Sequence, residues 1–422
     1  VLSEGKMKRT SFVAAACLAA FALLSCGGGG GGSGTPADAP DTNPPSEITL
    51  TGMMATDASV TFYWTDLDDA DLDRAEIVCA GGASSWSSTV DAGTLAFTQE
   101  GLSANTIYEF SVRNADTSGN LSEAHRFCAR TTSSGVVIYT VIGSSSGLDL
   151  IRNDPAGGYL LGGDVYCSAS SSWTPIGTSA APFTGVLLGN GYAIHDLTID
   201  GTSSHQGLFG YISGGVVDDL MIEDASVAGA SYVGALAGSC ADDGYIHNCR
   251  ATGSVSGSGS CAGGLVGYND ATLSSCYSAA SVSSYQYAGG LVGYDEGTIQ
   301  DCYSTGSVTG NMAIGGLVGY CASTTLIDSY ATGAVSGSGD VGGLVGYRPP
   351  LSGTVTGCFF DSETSGTTHS DGGTAATTSA MKTQTTFAGW DFSGETANGT
   401  DDVWSISSSI NGGYPYLTAI AP

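Results

Sequence analysis

The sequence predicts an all-β protein, a small sandwich followed by a solenoid of stacked parallel coils. Three observations carry this. A five-residue glycine phrase recurs six times, starting at Gly207, Ala235 (weakened to Ala-Leu-Ala-Gly), Gly264, Gly290, Gly316 and Gly343, in steps of 28, 29, 26, 26 and 27 residues. So regular a period means stacked identical units rather than one irregular globule. Each unit holds short β-prone runs split by Gly, Ser and Thr, with no stretch long enough for a helix. Ahead of the repeats, between residues 48 and 132, apolar and polar residues alternate with period two, as in half-buried strands.

Taken in chain order, residues 1–26 read as upstream residues plus a processing segment, with the start expected at Met7. Lys8 and Arg9 form the positive region and Ser11–Leu24 the apolar region, too short to span a bilayer comfortably. The segment ends Leu23-Leu24-Ser25-Cys26, which resembles a bacterial lipobox; Leu24 is larger than the usual small residue there. The resemblance implies lipidation of Cys26 and a membrane anchor. Gly27 lacks the Asp that retains some lipoproteins at the inner membrane, so the expected location is the outer membrane, facing the cell surface. Residues 27–47, opening with Gly27–Gly32, read as a flexible tether.

Residues 48–132 form the sandwich. Val60, Phe62 and Trp64 alternate with polar neighbours, as do Tyr108, Phe110 and Val112. Leu102 lies six residues before Tyr108, the arrangement of a tyrosine corner, in which the phenol bonds backbone upstream. Asp116–Asn120 is a hairpin turn. Trp64, the Leu102…Tyr108 pair and this turn resemble a fibronectin type III domain, implying a seven-stranded spacer or binding module. Asp66, Asp68, Asp69, Asp71 and Asp73 crowd one stretch. Oxygen ligands suit Ca²⁺, but the Gly and distal Glu of an EF-hand loop are missing, and a solvated acidic loop is the plainer reading. Cys79 and Cys128 sit on strands that the resembled topology does not make neighbours.

The repeats are framed by residues 136–206 as an N-terminal part and cap, run over 207–360, and end in a C-terminal cap at 361–422. Aligned on the glycine phrase, they expose an apolar column Val217, Ile246, Leu273, Ile299, Leu326, Val355 and, three residues on, Leu220, Cys249, Cys276, Cys302, Ser329, Cys358. A 26-residue unit alone cannot bury its apolar face; stacked, its columns make a continuous core with coils about 4.8 Å apart. The phrase, with Tyr159–Asp164, Trp173–Gly177 and Asn411–Leu417, resembles the GLUG-motif family. That resemblance implies a right-handed parallel β-helix of surface and secreted proteins, among them adhesin-like proteins and stalks of immunoglobulin A metallopeptidases, and no single activity.

For chemistry, a slot that accepts Leu, Cys and Ser reads as packing by buried thiols. The five histidines show no His-Glu-x-x-His spacing, and no nucleophilic triad has a sequence basis. Acids such as Asp218, Asp219, Asp242, Asp243, Asp295 and Glu296 read as solvated turn carboxylates. A net charge of −29, with 11 Lys plus Arg in 422 residues, argues against nucleic acid as a partner. Tyr268, Tyr294, Tyr320 and Tyr347 form one aromatic column, a possible binding surface for a glycan or protein; Tyr277, Tyr303 and Tyr330 form another. The expectation is a non-catalytic, lipid-anchored envelope protein that binds or adheres through its rod, without catalytic residues, cofactor or resident metal. A polysaccharide hydrolase or lyase and a purely structural stalk are the alternatives.

Overall fold

The computed structural model describes residues 41–65, 69–81, 84–167, 172–350, 352–399 and 401–422. The first unit has strands β1 (Leu50–Ala55), β2 (Ser59–Trp64), β3 (Leu72–Gly81), β4 (Ser84–Asp91), β5 (Ala96–Glu100), β6 (Ile107–Asp116) and β7 (His125–Arg130). They form two antiparallel sheets, β5-β2-β1, extended by Val137–Ile138, and β4-β3-β6-β7. This is the fibronectin type III arrangement. Alternation puts Tyr108, Phe110 and Val112 inward along β6. Phe62 meets Phe110 and Phe127 edge-on at 5.4 and 5.1 Å. Each such buried ring contributes roughly 2–3 kcal/mol. The tyrosine corner closes as expected: the Tyr108 phenol oxygen accepts the Ser103 N–H at 2.8 Å.

The second unit is a parallel β-solenoid. Among the described residues its coils build sheets of nine, fourteen and six strands. The column Val217, Ile246, Leu273, Ile299, Leu326, Val355 pairs residue for residue along the nine-stranded sheet. Its members point inward and are fully buried up to Leu326. Leu208, Leu236, Leu265, Leu291, Leu317 and Leu344 fill the same core from the six-stranded side.

The coil corners divide their labour in a way the sequence reading did not anticipate. Asn248, Ser275, Asp301 and Asp328 hold successive corners in left-handed conformation, with φ between 45° and 52°, and Gly357 continues the series at 65°; Asn and Asp are the non-glycine types that enter this region most readily. The phrase glycines serve close approach alone: a Cβ on Gly290 would lie 2.1 Å from the Gly316 carbonyl oxygen.

The sandwich docks on the first coils of the nine-stranded sheet. Leu160, Val186, Leu188 and Val216 point outward from the solenoid into the sandwich's own apolar cluster. Arg130 of β7 donates to the carbonyls of Thr184 and Gly214. At the other end, Phe387, Trp390, Phe392, Trp404 and Leu417 run back along the flank of the fourteen-stranded sheet and cover Tyr277, Tyr303 and Tyr330. That tyrosine column is therefore buried structure, its rings stacked at 4.6 and 5.0 Å.

Candidate functional site

Tyr268, Tyr294, Tyr320 and Tyr347 lie on successive strands of the six-stranded sheet, paired in register. The next residues along three of these strands, Asn269, Asp295 and Cys321, are fully buried, so alternation turns the tyrosines outward, and all four are half-buried. Ring centroids are 5.6, 4.8 and 5.3 Å apart, and Tyr294 and Tyr320 are within 3° of parallel. Tyr287 packs edge-on against Tyr294 and Tyr320, and Tyr232 continues the ladder toward His205. The Glu296 carboxylate accepts from the hydroxyls of Tyr268 at 2.6 Å and Tyr294 at 3.4 Å. Burial and that carboxylate push both phenols up, Tyr294 to about 12. Because the ring faces cover one another, the ladder offers edges and hydroxyls and no open ring face between its ends.

The expected turn carboxylates separate into two groups. Asp242 and Asp243 are exposed, but Asp218, Asp219 and Asp295 are buried. Burial raises the Asp295 carboxyl to about 6, although Thr324 and Asn269 hydrogen-bond to it; the Asn269 Nδ2 donor is 2.6 Å away. The cysteine column is buried and free. Of the acidic stretch in the sandwich, Asp66 and Asp68 lie outside the described residues, as does Cys26. Asp73 pairs with Arg74 at 2.8 Å. Asp71 approaches Asp41 and Asp116 instead, and Asp116 is held by the N–H groups of Ser118 and Asn120.

One constellation joins the two units. Cys128 of β7 faces out of the sandwich onto the neighbouring coil strands Val216–Asp218 and Tyr245–His247. The Cys128 N–H donates to Asp218 Oδ2 at 2.6 Å. Asp218 Oδ1 lies 2.8 Å from His247 Nδ1, and the Cys128 sulfur lies 3.6 Å from the same nitrogen. Burial disfavours a charged His247, but the Asp218 hydrogen bond outweighs it and raises its pKa. Burial, with Asp218 nearby, pushes the Cys128 thiol up. Sequence reading passed over this trio. The signal available was a column: Asp218, His247, Ser274, Gln300, Ile327, Thr356 pair in register, and its two titratable members stand side by side where the sandwich docks.

Residues 284–309 match the GLUG motif. The solenoid is built of GLUG repeats. Residues 117–253, which span β7, the junction and the first coils, match the family described as the M26 IgA1-specific metallo-endopeptidase N-terminal region. Halomucin of Haloquadratum walsbyi (strain DSM 16790 / HBSQ001) is 37% identical over 124 residues, 27% of this chain and 1% of halomucin. The chain thus spans a very small part of that relative. Among solved structures, an FN3 domain of human collagen XX covers 23% of this chain and 100% of its own, at 24% identity and a TM-score of 0.19. An IgA1 protease covers 76% of this chain and 27% of its own, at 16% identity and a TM-score of 0.38.

The peptidase match overturns the expectation that the chain is not an enzyme: a third of the GLUG-bearing protein is aligned with part of a metallo-endopeptidase family. The metal implied by that name needs ligands. His-Glu-x-x-His does not occur in the sequence. Cys128, Asp218 and His247 do not fit a peptide-cleaving centre, because Cys128 and Asp218 are completely buried between two domains, where a peptide bond cannot reach.

Proposed function

We propose that this chain is the recognition region of a peptidase-related surface protein, held at a bacterial outer membrane through Cys26 and presenting the Tyr268–Tyr294–Tyr320–Tyr347 ladder to a protein ligand. The repeat belongs to a surface-protein-like class, as the GLUG and halomucin matches indicate. The observation that carries the reading is the half-buried ladder itself. Tyrosines locked by stacking lose little entropy on binding, and tyrosine is enriched at protein interfaces. Covered ring faces favour a protein, met through edges and hydroxyls, over a sugar stacked on a face. The acidic chain favours a neutral or basic partner surface, with attachment that weakens as salt rises.

IgA1 is the first ligand to test, because the matched family is named for it. The double change Tyr320→Phe and Tyr347→Phe keeps the stack and removes two hydroxyls. Surface-immobilised IgA1 and a glycan array, probed with the 33–422 fragment, are expected to show IgA1 binding that weakens at least about tenfold in the double variant, with the melting temperature unchanged. Capture by glycans alone, by neither probe, or equally by the variant would refute the reading.

A further inference from the structure

We infer that Cys128, Asp218 and His247 form a structural zinc site that staples the sandwich to the first coils of the solenoid. One sulfur, one imidazole nitrogen and one carboxylate oxygen, all within 4.8 Å of one another, are a ligand set suited to Zn²⁺. The sulfur-to-nitrogen distance of 3.6 Å matches the edge of a zinc tetrahedron, about 3.5 Å at ordinary Zn–S and Zn–N lengths. The carboxylate edge must open by about 0.5 Å from its present hydrogen-bonded 2.8 Å.

The surroundings are arranged as for a metal. Asp218 Oδ2 is already fixed by the Cys128 N–H, which leaves Oδ1 to face the site, the orienting bond that metal-ligating carboxylates keep. Glu109 stands opposite Cys128 across the β6–β7 ladder, on the same face, and accepts from the Tyr245 hydroxyl at 3.1 Å. It stands outside the three-ligand group and adds negative charge at its rim. The carboxylates of Asp218 and Glu109 outnumber the nearby cation Arg126, an imbalance that a divalent ion offsets. Binding releases the Cys128 thiol proton and the proton shared by His247 Nδ1 and Asp218, so uptake strengthens as pH rises.

The position also explains why Asp and His occupy the column only where β7 covers it. A metal held by two adjacent coils and one sandwich strand adds a directional constraint to the apolar contact that Leu160, Val186, Leu188 and Val216 make across the junction.

The test uses the full chain, stripped with chelator and titrated with Zn²⁺ or Co²⁺ alone. One ion per chain is expected, with a thiolate-to-cobalt charge-transfer band. Cys128→Ser should abolish the band, and His247→Ala should weaken Zn²⁺ binding more than about tenfold. Cys79→Ser, in the sandwich interior, should leave both unchanged. X-ray absorption of the zinc-loaded wild type gives a readout that needs no variant: one sulfur with nitrogen and oxygen neighbours is expected. A shell without sulfur, absence of the cobalt band in the wild type, or a band that survives in Cys128→Ser overturns the assignment.

Discussion

The backbone N–H of Cys249 donates to the sulfur of Cys276, one coil further along, at 3.4 Å. Cys276 repeats the contact with Cys302 at 3.4 Å, and Cys302 with the Ser329 hydroxyl at 3.0 Å. Each acceptor follows a left-handed corner residue that interrupts the ladder, so the side chain of the next coil replaces a missing carbonyl. The column is more than a packing slot: it satisfies buried N–H groups. Cys276→Ser should therefore cost less than about 1 kcal/mol. Cys276→Val, of similar volume but without an acceptor, should cost about 1–3 kcal/mol. Urea unfolding of the two variants checks this; equal losses would return the column to simple packing.

Tyr294 sits between two stacked neighbours and beside Tyr287. Tyr294→Ala should destabilise by about 1–2 kcal/mol, less than a core aromatic, because the site is half open to water. Tyr294→Phe should be near neutral, since the hydroxyl bond it loses is long at 3.4 Å. Thermal melts of both variants separate ring from hydroxyl.

Asp295 is raised to about 6 by burial, above the value of about 3.9 of an unfolded chain. Between those two values the folded state keeps a proton that the unfolded state has released. The stability from Asp295 is thus present below about pH 4 and lost as pH rises to about 6, by roughly 2–3 kcal/mol. Asp295→Asn should flatten that part of the stability–pH curve. Asp328, raised to about 7, remains in both proteins, so the difference curve isolates Asp295. A difference curve level from pH 4 to 7 would contradict the shift.

Gly290→Ala should destabilise by more than about 3 kcal/mol, because its Cβ would stand 2.1 Å from backbone oxygen. Gly366, with φ of 76° and open space around it, should lose only about 1 kcal/mol on the same change. Chemical denaturation of both variants tests whether close approach or conformation selects the phrase glycines.

Cys26→Ala should move the exported protein from the detergent phase to the aqueous phase on phase partitioning, if acylation supplies the anchor. Unchanged partitioning would remove the membrane from the proposal.

The period, the inward columns and the tyrosine corner were legible because each rests on a local or repeating rule. In-register coils place residue n above residue n plus one period, so aligning the phrases already lists the neighbours of Ile246 or Tyr294. The same alignment could not say that Tyr277, Tyr303 and Tyr330 lie beneath Trp390 and Trp404, nor that Asp295 is buried, because turn position alone does not reveal what packs over it. Nor could it bring Cys128 to Asp218 and His247, 90 and 119 residues away. Sequence by itself determined the all-β class, the solenoid of GLUG repeats and the core-facing phase of the aligned apolar columns, since periodic stacking leaves one way to bury them. Tertiary structure alone decided what the outward faces meet, because the docking of the sandwich and the folding back of the C-terminal segment follow no period and are set by surface complementarity between distant parts of the chain.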